Sequence, residues 1–187
     1  MKTIPLLLLI GCLLLGCEST TRQLCEGEAA LYTHHYAGLE VYGTLDDALQ
    51  CALIQQKPVL LVFSGFSCVG DRRYEKQLFE APPNHTLIAE HFVPVILFVD
   101  DKKKLPLAEI ITVEINGKKR VIETFGDQNL LFQQQLLASN SQPQLIILDH
   151  LGQPITEPIW YRPAPDDYHD FLQEGLLQYR KHSASKK

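Results

Sequence analysis

Two apolar runs punctuate the middle of the chain. Val59 to Phe63 and Phe92 to Val99 are β-prone and lack polar alternation, so each reads as a strand covered on both faces. Pro143 precedes a further strand from Gln144 to Leu148. Between and around them the apolar period changes to that of helices. Leu45, Ala48, Leu49 and Ala52 form one helical stripe, and Thr44 with Asp47 makes a capping-box-like start. Cys51 lies at the edge of that stripe and reads as a half-buried small apolar residue. Helical pattern returns from Cys68 to about Phe79, and Ala81-Pro82-Pro83 breaks it. Asn84 caps a short helix to Glu90, and Asp127 caps one from Gln128 to about Ala138. Asp166 or Asp167 opens a last amphipathic helix that uses Tyr168, Phe171, Leu172, Leu176 and Tyr179.

Turn chemistry orders these pieces. Ile110 to Ile115 and Lys118 to Glu123 flank Asn116-Gly117, whose tolerance of positive φ suits a two-residue hairpin turn. Asp149-His150-Leu151-Gly152 turns the chain into a further strand from Gln153 to about Ile159. Leaving out the hairpin and the short helix, the order after the first helix is β-α-β-α-β-β-α. The first two strands need a crossover and so run parallel; the last two share a short turn and run antiparallel. An α/β domain with a mixed central sheet and helices on both faces follows.

The apolar fraction of 45% and charged fraction of 21% are those of a globular chain. A net charge of -5 with no basic stripe argues against nucleic acid as a partner. The N-terminus has its own logic. Lys2 precedes the apolar run Ile4 to Leu15, too short to span a bilayer comfortably, which ends in Leu14-Leu15-Gly16-Cys17. That tetrapeptide resembles the lipobox of bacterial lipoproteins, which implies cleavage before Cys17, acylation of Cys17 and a membrane anchor. Glu18, in place of the aspartate linked to inner-membrane retention, points to the periplasmic side of the outer membrane. The expected organisation is a signal peptide over 1–16, a tether over 17–40 and one domain over 41–187.

Five cysteines are present. On this reading Cys12 leaves with the signal and Cys17 is acylated, so Cys25, Cys51 and Cys68 remain. Three thiols cannot all pair within one chain, and which of them pair is left open. His34-His35 has no second ligand pair at zinc spacing, so no metal site is expected.

Cys68 carries the chemistry. It follows the strand Val59 to Phe63 after a short turn and opens a helix, where unpaired N–H groups favour a thiolate. Asp71, one turn in, raises the thiol pKa if its carboxylate faces the sulfur, and Arg72 and Arg73 offset that charge. The segments Lys57-Pro58-Val59, Gly65-Phe66-Ser67-Cys68-Val69, Val99-Asp100-Asp101-Lys102, Asn116-Gly117-Lys118-Lys119 and Gln142-Pro143 resemble one branch of the thioredoxin fold. That branch is the C-terminal periplasmic thioredoxin-like domain of thiol:disulfide interchange proteins linked to cytochrome c biogenesis. The likeness runs from about Gly38 to Tyr179. It implies a cis peptide before Pro143, with Gln142 and Pro143 facing the active-site cysteine and pairing with an extended substrate. It implies no cofactor, and it places Phe66 at an aromatic position on the rim. Two departures stand out. The transmembrane electron-transfer domain of those proteins is absent, and Asp71 occupies the position of their second active-site cysteine.

Two functions compete. One is a membrane-tethered monothiol oxidoreductase whose Cys68 attacks disulfides of extracytoplasmic proteins and is released by an external thiol donor. The other is a redox-inactive module that binds extended peptides or partner proteins in the Gln142-Pro143 groove. Whether the chain is an enzyme is left open, with the first reading favoured.

Overall fold

A computed structural model describes residues 33–67, 72–115, 117–162 and 164–185. Its elements, in chain order, are β1 (Thr33–Tyr36), β2 (Leu39–Tyr42), α1 (Leu45–Gln55), β3 (Val59–Ser64) and α2 (Arg72–Glu75), the last continued by a π-helical turn (Lys76–Glu80). There follow α3 (Pro82–His91), β4 (Val93–Phe98), β5 (Ile111–Ile115), β6 (Lys118–Ile122), α4 (Phe125–Leu137), β7 (Gln144–Leu148), β8 (Ile159–Trp160) and α5 (Pro165–Ser185).

Six strands form one sheet in the order β1-β2-β4-β3-β7-β8, and β5 with β6 forms a separate hairpin. The two apolar runs and the strand after Pro143 sit together at its centre, every residue of β3, β4 and β7 being buried. β3 pairs in parallel with β4 and antiparallel with β7, and β8 is antiparallel to β7. The fold is the expected mixed sheet with helices on both faces.

Alternation along β3 sorts the core into two layers. Leu60 and Val62 point to the face covered by Tyr74, Leu78 and Phe79 of the segment after the site, Ile88 of α3, and Tyr168, Phe171 and Leu172 of α5. Val59, Leu61 and Phe63 point the other way, onto Ala48, Cys51 and Ala52 of α1 and Phe132 and Leu136 of α4. Burying side chains of this size is worth about 1.5–3 kcal/mol each, so both layers hold the central strands in place.

Local chemistry explains the helix ends. Thr44 caps α1 by accepting the Asp47 amide, and Gln56 ends it in the left-handed region at φ 52°. Thr124, rather than Asp127, caps α4; Asp127 sits at the third helical position and completes a reciprocal capping box with it. The wrong residue was expected because a carboxylate and a hydroxyl three apart are both competent caps. α3 starts at Pro82 because proline suits a first helical turn, so Asn84 is not its cap. Asn84 is fully buried and spans two segments, donating to the carbonyls of Gln77 and Pro165.

Other differences have simple causes. Among the described residues, regular structure is already present at Thr33, ahead of the start expected near Thr44. The β1–β2 hairpin turns through Ala37 and Gly38, both at positive φ, and its strands are too short to show a period. The expected strand from Gln153 to Ile159 reduces to a bridge between Pro154 and Leu148 and the two residues of β8. Two prolines, Pro154 and Pro158, withhold the amide donors that a longer ladder needs. Cys51 is not half-buried: it is 2% exposed and disulfide-bonded.

Candidate active site

The end of β3 is one wall of the site. Ser64 lies opposite Phe98, the last residue of β4, and Phe63 lies opposite Gln144, the first of β7. The turn Gly65-Phe66-Ser67 therefore leaves the sheet between the end of β4 and the residues that precede β7. Those residues are Gln142 and Pro143, and the peptide between them is cis, as the resemblance implies. Sequence positions some eighty residues apart are thus brought to one sheet edge. In open α/β sheets this edge, at the carboxyl ends of parallel strands, is where sites form.

Asp100 holds the turn. Its Oδ1 accepts the Phe66 amide at 2.7 Å, and its Oδ2 accepts the Ser67 amide at 2.9 Å and the Ser67 hydroxyl at 2.6 Å. Partial burial pushes the Asp100 carboxyl upward, but the bonds from the Ser67 hydroxyl and the Phe66 and Ser67 amides outweigh it and hold it below the usual carboxylate range. The neighbouring Asp101 points elsewhere, accepting the Lys103 amide at 2.8 Å.

What fixes Asp100 is the approach of α4. Gly126, in the first turn of α4, donates its amide to the Asp101 carbonyl at 3.0 Å. A Cβ on Gly126 would meet the Asp101 amide nitrogen at 2.6 Å and its carbonyl oxygen at 2.7 Å. Only glycine allows that helix to press on the segment.

Phe66 is half-exposed, and its ring stacks on Phe98 with centroids 3.8 Å apart and planes 10° from parallel. Its stack on Phe98 is the packing role the sequence suggested, and its other half is left exposed beside the turn. On the opposite wall a glutamine network positions the proline loop. Gln133 of α4, fully buried, donates to the Ser141 carbonyl at 2.8 Å and to Gln144 Oε1 at 2.9 Å. Its own Oε1 accepts Gln142 Nε2 at 3.0 Å. The Gln142 side chain is thereby turned onto α4.

Cys68 and Asp71 lie outside the described residues, as do Cys17, Cys25 and the side chain of Arg72. The described chain brackets Cys68 closely, with Ser67 tied to Asp100 on one side and α2 beginning at Arg72 on the other. Trp160 and Tyr161 are exposed at the β8 edge, with Trp160 opposite Gln144 in the sheet.

Two positioning residues escaped the sequence reading. Asp100 was visible only as part of a resembling segment; its signal was a carboxylate just past a buried strand. Gln133 sits on a largely polar helical stretch, where nothing marks one glutamine as buried.

No family model and no curated protein matches the chain. Among solved structures, the DsbH oxidoreductase aligns with a TM-score of 0.54 at 16% identity, over 81% of this chain and 89% of that one. A disulphide isomerase from Xylella fastidiosa Temecula1 aligns with a TM-score of 0.48 at 18% identity, over 77% and 97%. A thioredoxin-fold protein from Helicobacter pylori aligns with a TM-score of 0.40 at 20% identity, over 71% and 88%. The last two likenesses are too slight to weigh; the first, together with the strand order, defines the architecture. The chain is a thioredoxin-fold protein.

Proposed function

We propose that this chain is a membrane-tethered, extracytoplasmic thiol–disulfide exchange protein that works through a single attacking sulfur, that of Cys68. The observation that carries the reading is the Asp100 clamp on Phe66 and Ser67, which spends three hydrogen bonds on the turn leading into Cys68, opposite the Gln142-Pro143 loop. The resemblance of the Gly65–Val69 and Gln142-Pro143 segments to the periplasmic domain of interchange proteins supports the same chemistry and compartment. The Leu14-Leu15-Gly16-Cys17 motif supports anchoring by a lipid on Cys17, at the periplasmic side of the outer membrane.

The exchange runs in three displacements. The Cys68 thiolate attacks one sulfur of a substrate disulfide, forming a mixed disulfide and expelling the other substrate sulfur as a thiolate. An external thiolate then attacks the Cys68 sulfur and frees the second substrate thiolate. A second external thiolate regenerates Cys68 and leaves as a disulfide with the first. The substrate gains two electrons and the external thiol pair loses two. Run backwards, the same steps oxidise a dithiol.

Alkylation of folded protein against pH tests this. Cys68 is expected to react fastest, with a pKa below the ordinary value of about 8.5. Membrane extracts are expected to contain covalent partner adducts that vanish in Cys68→Ala. A folded protein whose Cys68 never labels and forms no adduct is instead the binding module, consistent with Asp71 in place of a second cysteine.

A further inference from the structure

A groove of about 860 Å³ runs along one side of α5, between that helix and the connection from β7 to β8. We propose that it docks an extended, basic segment of a partner polypeptide, one that also carries apolar anchors.

The depth of the groove is apolar. Phe171 belongs to the core layer beneath α5, and Ile155 and Ile159 pack on that layer while also lining the groove. The rim is acidic. Asp167, Asp170 and Glu174 stand on the α5 side and Glu157 on the other, all four exposed. Against them, Arg162 is the one cation among the described residues that line it.

The spacing of the α5 carboxylates favours a cationic occupant. Positions 167, 170 and 174 are three and four residues apart, so these side chains share one helix face and repel one another. The helix N-terminus offsets this for Asp167, since α5 begins at Pro165. That field fades within the first turn, so Asp170 and Glu174 gain little from it. Among the described residues none of the four carboxylates forms an ion pair, and Glu174 accepts only the Gln178 side-chain amide. The fold thus gives the row no counter-charge of its own, and a basic ligand supplies it.

Length and depth select a polypeptide over a small cation. Gln178, the last α5 residue on the groove, is eleven positions beyond Asp167, about 16 Å along the helix at ~1.5 Å each. An extended segment of about five residues fills that length at ~3.3 Å per residue. Its alternate side chains point to opposite sides, so apolar ones reach Ile155, Ile159 and Phe171 while basic ones meet the rim. A linear polyamine matches the charge but brings no side chain for the apolar depth.

The groove also borders the site already described. Ile159 pairs with Leu145 and Trp160 with Gln144, the residue that follows the cis peptide at Pro143. One end of the groove therefore opens beside the Gln142-Pro143 loop. Docking makes no use of a sulfur, so the inference stands apart from the exchange chemistry.

Fluorescence anisotropy of dye-labelled, cysteine-free peptides tests this on the intact chain. The probe alternates lysine and leucine; its comparators are a lysine–glycine peptide of equal charge and a glutamate–leucine peptide. The lysine–leucine probe is expected to bind saturably, at least about tenfold tighter than either comparator. Raising the salt from about 50 to 200 mM is expected to weaken it about threefold or more, because exposed charges are screened. Asp170→Lys with Glu174→Lys should weaken the probe at least about tenfold, and the milder Asp170→Asn with Glu174→Gln about threefold. Glu80→Lys with Glu90→Lys makes the same change in net charge outside the groove, and should alter affinity by less than about twofold. Urea titration of each variant confirms that it is folded. Absence of saturable binding, equal binding of the lysine–glycine peptide, or equal losses in groove and control variants overturns the proposal. So does a groove variant that changes the oligomeric state of the chain and leaves probe affinity alone, which would make a second copy the occupant.

Discussion

One oxygen of Asp100, Oδ2, accepts both the amide and the hydroxyl protons of Ser67, at 2.9 and 2.6 Å. The residue just before the proposed attacking cysteine is therefore fixed by a carboxylate 33 positions away, at the end of the neighbouring strand. Exposed ion pairs are worth little, but a carboxylate that accepts several N–H and O–H bonds at once is a geometric clamp.

Replacing Asp100 by asparagine keeps the size and loses the charge and one acceptor site. Alkylation of Cys68 in Asp100→Asn is expected to change by about threefold or more, because the turn is no longer held. The pH dependence has a definite sign. Asp100 is depressed in the folded state, so its stabilisation is complete above the unfolded value of about 3.9 and is lost as pH falls through the lower folded value. Urea titrations should thus show a wild-type advantage over Asp100→Asn that is constant from about pH 5 to 7 and shrinks below about pH 4. A difference that grows in acid would contradict the clamp.

Asp71→Cys should raise insulin-reducing activity by about tenfold or more, since a resolving thiol held beside Cys68 acts at high effective concentration. Native adducts should become short-lived in the same variant. If the new disulfide forms and activity is unchanged, the site does not admit protein disulfides.

Gln133→Leu strands the buried Gln144 oxygen without a donor and removes the bond to the carbonyl of exposed Ser141. The expected loss is about 1–3 kcal/mol, one unsatisfied group's worth, measured by chemical denaturation. Substrate-adduct formation should fall as well, because the Ser141–Pro143 loop loses its anchor on α4. A loss confined to stability would mean that the loop holds its shape without Gln133.

Ser64 ends β3 with a fully buried hydroxyl that has no hydrogen-bond partner. Ser64→Ala is expected to be neutral or to stabilise the protein by up to about 1 kcal/mol, since it removes an unpaired polar atom. Destabilisation beyond that amount would show that the hydroxyl is bonded in solution.

How much of this was legible beforehand follows from range. β3, β4 and β7 are mostly apolar and buried on both faces, so local pattern located them, while the parallel run of β3 and β4 and the antiparallel run of β7 and β8 followed from the lengths of their connections. The turn that leaves β3 at Gly65–Ser67 and the Gln142-Pro143 pair were likewise visible, because a break after an apolar run and an X-Pro step are local chemistry. The caps were half legible: Thr124 and Asp127 both satisfy the composition of a cap, and only the backbone chooses between them. Asp100, Gly126 and Gln133 were decided by tertiary structure alone. Each acts on residues brought to it by the crossing of β4 and α4 over the sheet edge, and a polar side chain carries no local mark of the partner it will meet. Cys51 is the same case, a small residue on an apolar stripe whose bond depends on which chain segment passes over α1.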